Sequence, residues 1–275
     1  MNHVPDGNRL SNVERFSGFE DTYDRYRPEA PALIIDILTG YLGRTPSLVV
    51  DIGCGTGLST MIWKDHADQI IGVEPNDDMR GKAERKLFDD TTRSNVSFIS
   101  GYSNQLDLES ASADIVTCSQ SFHWMEPVST LKEVSRILRP DGIFAAYDCD
   151  WPPTLNWELE QAYMELTNKA DNIIAEVADS EEHAVKNDKG QHLTNLRQSG
   201  EFRFTKEIVF HNVEDCDAQR YSGLAISQGG VQTVLKMGTG VLDADIQRFC
   251  DQVSDHFQGR TLQILFSYRM RIGIK

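Results

Sequence analysis

Positive charge is the scarcest feature of this chain. Its 275 residues carry 27 Lys and Arg against 42 Asp and Glu, a formal net charge of -15. Such a balance works against nucleic-acid backbones and anionic membranes as partners, while leaving room for a local basic pocket. There are five cysteines (Cys54, Cys118, Cys149, Cys216 and Cys250), and no two of them form a C-x-x-C pair or a zinc-ligand spacing. That argues against a disulfide framework and a structural metal, and free, mostly buried thiols in a reducing compartment are expected. No apolar run approaches a membrane span and residues 1–10 have no apolar signal core, so a cytoplasmic protein without membrane contact is expected. Also missing are H-E-x-x-H, a nucleophile elbow, a Walker loop, internal repeats and low-complexity tracts. The remaining composition, 40% hydrophobic and 25% charged, is that of an ordinary globular protein able to bury a substantial core.

One stretch organises the rest. Residues 48–57 read Leu-Val-Val-Asp-Ile-Gly-Cys-Gly-Thr-Gly: an apolar run rich in β-branched residues, a carboxylate at Asp51, then Gly53, Gly55 and Gly57. A strand buried by helices on both faces has this appearance, and residues 58–64 read as the opening of a helix. Glycines at the strand's carboxyl end let a ligand approach the backbone where a side chain would block it. The next strand, 69–73, ends in Glu74, roughly twenty residues after the first glycine, where an acid holds ribose hydroxyls. The spacing G-x-G-x-G departs from the G-x-G-x-x-G that opens a helix toward a pyrophosphate. Asp51 is likewise a poor neighbour for a pyrophosphate but suits a cationic amino group. An adenosine cofactor at the mouth of a doubly wound sheet is therefore expected.

At residues 51–57 the sequence resembles the first motif of the class I S-adenosylmethionine-dependent methyltransferases, in their type 11-like small-molecule subgroup. The resemblance runs through residues 1–150 and then thins to an order of elements. It implies a Rossmann-like, seven-stranded, mostly parallel sheet with helices on both faces. It also implies a lid segment over 1–28, a cofactor-binding core over 29–150, a helical cap insertion over 151–200, and closing strands and helices over 201–275. The implied cofactor is S-adenosyl-L-methionine, with no metal. The run Tyr23-Asp24-Arg25-Tyr26-Arg27-Pro28 is similar to a segment whose aromatic and arginine lie over the methionine end of the cofactor, here Tyr26 and Arg27. By the same resemblance Met79 packs on the adenine. Tyr102 stands where the family commonly places an adenine-binding aspartate, leaving Ser103 to serve through its backbone. Thr56, Pro75, Ser119, Gln120 and Phe122 complete the implied cofactor set.

The fourth strand, 114–118, runs into Ser119-Gln120-Ser121-Phe122-His123-Trp124-Met125, a polar and aromatic cluster where an open α/β sheet places its ligand. The cluster resembles a Q-x-x-H-W segment that borders the transferable methyl. His123 has two readings. Its unperturbed pKa near 6.5 suits a general base; alternatively, it and Trp124 hold the loop by packing. Asp148, Asp150, Trp151 and Trp157 join His123 and Trp124 as pocket candidates, against the plainer reading of exposed acids and core tryptophans. Beyond Trp151 the pattern gives a helix over 155–177, a charged linker over 179–190, a strand over 202–213, helices around 231–237 and 246–257, and a strand over 262–274.

Displacement at a sulfonium needs positioning more than catalytic groups, which matches a chain with cofactor motifs and no evident catalytic constellation. The expected activity is methyl transfer to a small-molecule acceptor. The alternatives are an S-adenosylmethionine-binding protein without turnover and a nucleotide-cofactor oxidoreductase, the latter opposed by the third glycine.

Overall fold

The computed structural model describes residues 4–89, 95–177 and 184–275. Among them seven strands form one sheet: β1 (Leu48–Ile52), β2 (Gln69–Val73), β3 (Val96–Ile99), β4 (Ala113–Ser119), β5 (Leu138–Cys149), β6 (Phe204–Cys216) and β7 (Leu262–Ile274). Their order is β3-β2-β1-β4-β5-β7-β6, with β1 to β5 parallel and β7 antiparallel to both β5 and β6. The expected doubly wound sheet is what the chain builds. Every residue of β1 is buried. Val49 faces a core with Ile34, Leu38 and Trp63, and Val50 and Ile52 face a second with Val116, Leu131 and Val134. The strand is hydrophobic throughout because each face has its own helix layer to bury against. β1 lies between β2 and β4, so the winding reverses there and a crevice opens at the strand carboxyl ends.

The helices are α1 (Leu10–Glu14), α2 (Glu20–Tyr26), α3 (Leu33–Leu42), α4 (Asp77–Asp89), α5 (Pro127–Ile137), α6 (Trp157–Val177), α7 (His192–Ser199), α8 (Ala218–Ile226), α9 (Gly229–Lys236) and α10 (Asp243–Phe257). α3 and α5 supply the two faces named above. α6, α8, α9 and α10 pack on one another, joined by Tyr163, Tyr221, Phe249 and Phe257. This helical layer thus draws on 157–177 and 218–257 together. None of the helices among the described residues is long and apolar enough to cross a membrane.

The structure corrects several element boundaries. The helix expected to open at 58–64 is one turn, with Met61 N–H on the Gly57 carbonyl at 3.0 Å, followed by a 3₁₀ turn at Met61–Trp63. Ser59 and Thr60 turn their hydroxyls to Asp51, and the Asn95 amide takes the Lys64 and Ala67 carbonyls, which ends the segment. The aromatic stretch before Pro28 is two short helices broken near Gly18, whose φ of +77° only glycine adopts readily. α8 had no counterpart in the hydrophobic pattern; the Asp217 carboxylate caps it by accepting from Arg220 N–H at 2.7 Å. The linker expected at 179–190 lies partly outside the described residues.

Candidate functional site

The crevice at the ends of β1, β2 and β4 is a cleft of about 1090 Å³, counting its open mouth. Gly53 and Cys54 donate to the Val73 carbonyl at 2.8 and 3.2 Å, which pins the glycine loop to the end of β2. Glu74 folds back over that loop. Its Oε2 accepts from Gly55 N–H at 2.9 Å and its Oε1 from Asn76 N–H at 2.8 Å. Burial raises the Glu74 pKa to about 7, against the pull of those two N–H groups. Each oxygen keeps a lone pair for a further donor. The glycines differ in purpose. A Cβ on Gly55, at φ +57°, would project into open space, whereas one on Gly57 would strike Phe98 at 2.9 Å and one on Gly53 would strike Ser121 at 2.7 Å.

The N-terminal segment closes over the cleft. The Asn76 amide donates to the Val13 carbonyl and the Ser17 hydroxyl, both at 2.9 Å. Asn12 donates to the Trp124 carbonyl at 2.8 Å and to the Val185 carbonyl at 3.1 Å, tying α1 to the loop after β4 and to the segment before α7.

Of the residues singled out in the sequence, Arg27, Gly53, Gly55, Glu74, Pro75, Met79, Tyr102, Ser103, Ser119, Gln120 and Trp124 line the cleft. Others stand behind its wall. Asp51 is fully buried, its carboxylate taken by the hydroxyls of Ser59 (2.6 Å), Thr60 (2.7 Å) and Thr117 (2.8 Å). Burial raises its pKa and those hydroxyls oppose the rise. It therefore supports Ser59, which lines the cleft, and does not itself form the wall. Gly57 serves packing under Phe98, Thr56 is wholly buried, and Phe122 packs edge-on against Phe144 with ring centroids 5.5 Å apart. Tyr26 presses on Gly223 of α8. Trp151 reaches the wall only through Gln120, donating Nε1–H to Oε1 at 3.2 Å. Asp150 pairs with Arg269 and Trp157 is exposed. Tyr23, Asn12, Phe16 and Tyr268 line the cleft without having been singled out. Tyr23 lies in the same Tyr-Asp-Arg-Tyr-Arg-Pro run, one helical turn before Arg27, and that spacing was the available signal.

His123 is 4% exposed and is not on the cleft wall. Its Nδ1 lies 3.4 Å from Asp148 Oδ1, and burial lowers its pKa to about 4 despite that carboxylate. Asp148 is also buried; burial would raise its pKa, but His123, His192 and Lys189 hold it well below the carboxylate range. The Lys189 ammonium stands 2.9 Å from Oδ1 and the Arg271 guanidinium 3.5 Å from Oδ2. The result is a buried carboxylate facing the Lys189 ammonium and the Arg271 guanidinium, which Glu207 shares, with the neutral His123 imidazole beside it. His123, Asp148 and His192 bring ligand atoms within 4.8 Å of one another, but Lys189 and Arg271 already meet the charge and oppose a cation there. The expectation of His123 and Asp148 on the acceptor wall is corrected: they brace the loop that presents Trp124 and Met125.

Residues 50–146 match the family model described as a methyltransferase domain. The "Probable S-adenosylmethionine-dependent methyltransferase CRG1" of Saccharomyces cerevisiae is 29% identical over 141 residues, 49% of this chain and 48% of that protein. An uncharacterized methyltransferase-like protein of Schizosaccharomyces pombe is 34% identical over 122 residues, 44% of this chain and 45% of its own. The chain thus spans about half the length of the curated relatives it matches. Among solved structures, a candidate type II methyltransferase from Anaeromyxobacter dehalogenans aligns with 90% of this chain and 98% of its own, at a TM-score of 0.67 and 18% identity. The [4+2]-cyclase SpnF aligns with 98% of this chain and 97% of its own, at a TM-score of 0.56 and 15% identity. At such identities the likeness speaks for the fold alone.

Proposed function

We propose, from the premise that residues 50–146 are a class I S-adenosylmethionine-dependent methyltransferase domain, that this chain transfers a methyl group to a small-molecule acceptor. The observation that carries the reading is Glu74 closed over Gly55 beside an open cleft. The residues fit the cofactor. Glu74 keeps one lone pair on each oxygen for ribose hydroxyls, and Gly55 leaves open space where a side chain would intrude. In this reading Met79 and Tyr102 hold the adenine, and Tyr23 and Arg27, also on the cleft wall, hold the methionine end.

Bound S-adenosylmethionine supplies a methyl group already activated by its sulfonium. The chain's residues bind, orient and exclude water. Phe16 and Trp124, ring centroids 5.9 Å apart, form an apolar lip over the cleft. His123, neutral and set behind that lip, has no path to an acceptor proton. Calorimetry with S-adenosylhomocysteine should show binding that Gly55→Val abolishes, and NAD should not bind. A second reading comes from SpnF, a protein of this fold named as a [4+2]-cyclase: the cleft would bind S-adenosylmethionine without consuming it. Conversion of S-adenosylmethionine to S-adenosylhomocysteine in the presence of acceptors separates the two.

A further inference from the structure

Two asparagines far apart in the chain grip one short loop. The carbonyls of His123, Trp124 and Met125, consecutive after β4, all accept from them. Asn187 N–H donates to the His123 carbonyl at 2.8 Å, and its side-chain amide donates to the Met125 carbonyl at 2.7 Å. Asn12 Nδ2 takes the Trp124 carbonyl between them at 2.8 Å. Asn12 also pairs with the segment that carries Asn187. Its Nδ2 donates to the Val185 carbonyl at 3.1 Å, and its Oδ1 accepts from Val185 N–H at 2.7 Å. A carboxamide suits this work because it offers a donor and an acceptor in one plane, as a peptide edge does.

Three segments meet there: α1, the loop after β4 and residues 184–188. The last is anchored just beyond, where Lys189 stands 2.9 Å from Asp148 of β5 and His192 packs on Phe122 with ring centroids 4.9 Å apart. α1 and the turn after it hold the loop a second time through the Trp124 ring. The Arg15 guanidinium lies 4.1 Å from its centroid, and the Phe16 ring meets it edge-on at 5.9 Å. Release of the His123 and Met125 carbonyls would therefore loosen Trp124 and, with it, its contacts to Asn12, Arg15 and Phe16. Asn12, Phe16, Trp124 and Met125 are on the cleft wall, whereas among the described residues none of 184–192 is. Residues 184–188 reach the cleft only through the loop and α1.

We propose that Asn12 and Asn187 are positioning residues that clasp α1, the loop after β4 and residues 184–188 into one closing unit, so that a ligand held beneath α1 also fixes the Trp124 indole. On the methyltransferase reading, on which this consequence rests, the bound cofactor sets the apolar lip before the acceptor meets it. Such coupling is reciprocal: what loosens 184–188 loosens α1, and what tightens α1 tightens 184–188. A link between segments needs a shared element with two arrangements, and the clasp supplies one because each asparagine holds two segments at once.

Amide hydrogen exchange on the full chain, read by mass spectrometry over 8–18, 121–126 and 184–188, tests the clasp without any ligand. In Asn187→Ala, exchange rises roughly 10-fold in 121–126 and, together with it, in 8–18, while β1 keeps its wild-type rate. Asn12→Ala does the same from the other side, accelerating 121–126 and 184–188; the N–H groups of Val185 and Asn187 are themselves bonds of the clasp. Circular dichroism confirms folding, and either variant decides the question if the other does not fold. Acceleration confined to the segment that lost its asparagine's own bonds, with the third segment unchanged, overturns the clasp. So does acceleration spread equally to β1. S-adenosylhomocysteine is then added to the wild type, and 184–188 slows although no residue of it lines the cleft. Calorimetric binding without that slowing overturns the coupling and leaves the cofactor reading intact. Absence of binding overturns the methyltransferase reading, while the ligand-free rates still judge the clasp.

Discussion

Glu74 Oε2 and the N–H of Gly55 share a hydrogen bond of 2.9 Å, so the acid that ends β2 and the loop that ends β1 are one unit. Burial lifts the Glu74 pKa to about 7. Because the folded value is raised, the protonated carboxyl stabilises the ligand-free protein at low pH, and that stability is lost as pH rises from about 4.5 through 7. Ribose hydroxyls donate best to the ionised form. Affinity for S-adenosylhomocysteine should therefore rise about tenfold between pH 6 and pH 8. Calorimetry across that range checks it, and Glu74→Gln should bind weakly with no pH dependence. A flat wild-type profile contradicts the assignment.

His123 should not act as a base. Its folded pKa of about 4 lies below the unfolded value of 6.5, so the neutral imidazole contributes stability that is present above about 6.5 and lost as pH falls toward 4. The slope is opposite in sign to that of Glu74, and single variants separate them. The melting-temperature gap between wild type and His123→Gln should widen from pH 4.5 to 6.5 by calorimetry. With cofactor saturating, kcat should stay flat between pH 5.5 and 8. An inflection near 6.5 that His123→Gln removes would restore the imidazole as a base.

The glycines predict two separable failures. Gly72→Ala drives a Cβ to 2.5 Å from the Phe98 ring and should destabilise the fold by about 1–3 kcal/mol, measured by urea unfolding. In Gly55→Val the Cβ meets no neighbour, so the stability cost is that of a left-handed φ, about 1–2 kcal/mol. It should nevertheless lose the cofactor. Equal stability loss in both variants would show that Gly55 also serves packing.

Asp51→Asn replaces a carboxylate that accepts from three hydroxyls by a neutral amide, which keeps all three contacts only if the Thr117 hydroxyl turns round to accept. The exchange of charge-assisted for neutral contacts costs about 1–3 kcal/mol. Unfolding should register that loss, and cofactor affinity should fall only through displacement of Ser59. A large affinity loss with unchanged stability would put the carboxylate in direct contact with the ligand.

The glycine loop and several strands were legible because their signals are local. Three glycines after a β-branched run, an acid at the end of the next strand and the bounds of β7 at Leu262–Ile274 can each be read within a dozen residues. What escaped depends on partners far along the chain. Nothing near Arg15 announces Gly229, and nothing near Asp148 announces Lys189, His192 and Arg271. The failed helix at 58–64 has the same origin: Ser59 and Thr60 suit a helix on pattern, but Asp51 claims their hydroxyls once β1 is in place. His123 looked available to an acceptor because sequence cannot tell the wall of a cleft from the layer behind it.

The most direct test of the central claim is mass analysis of a panel of small acids, phenols and amines incubated with this protein and S-adenosylmethionine bearing a trideuterated methyl group. The account predicts a product heavier by one labelled methyl, formed together with S-adenosylhomocysteine in equal amount, and lost in Gly55→Val. Stable binding of S-adenosylmethionine, with neither a labelled product nor S-adenosylhomocysteine from any acceptor, would contradict it.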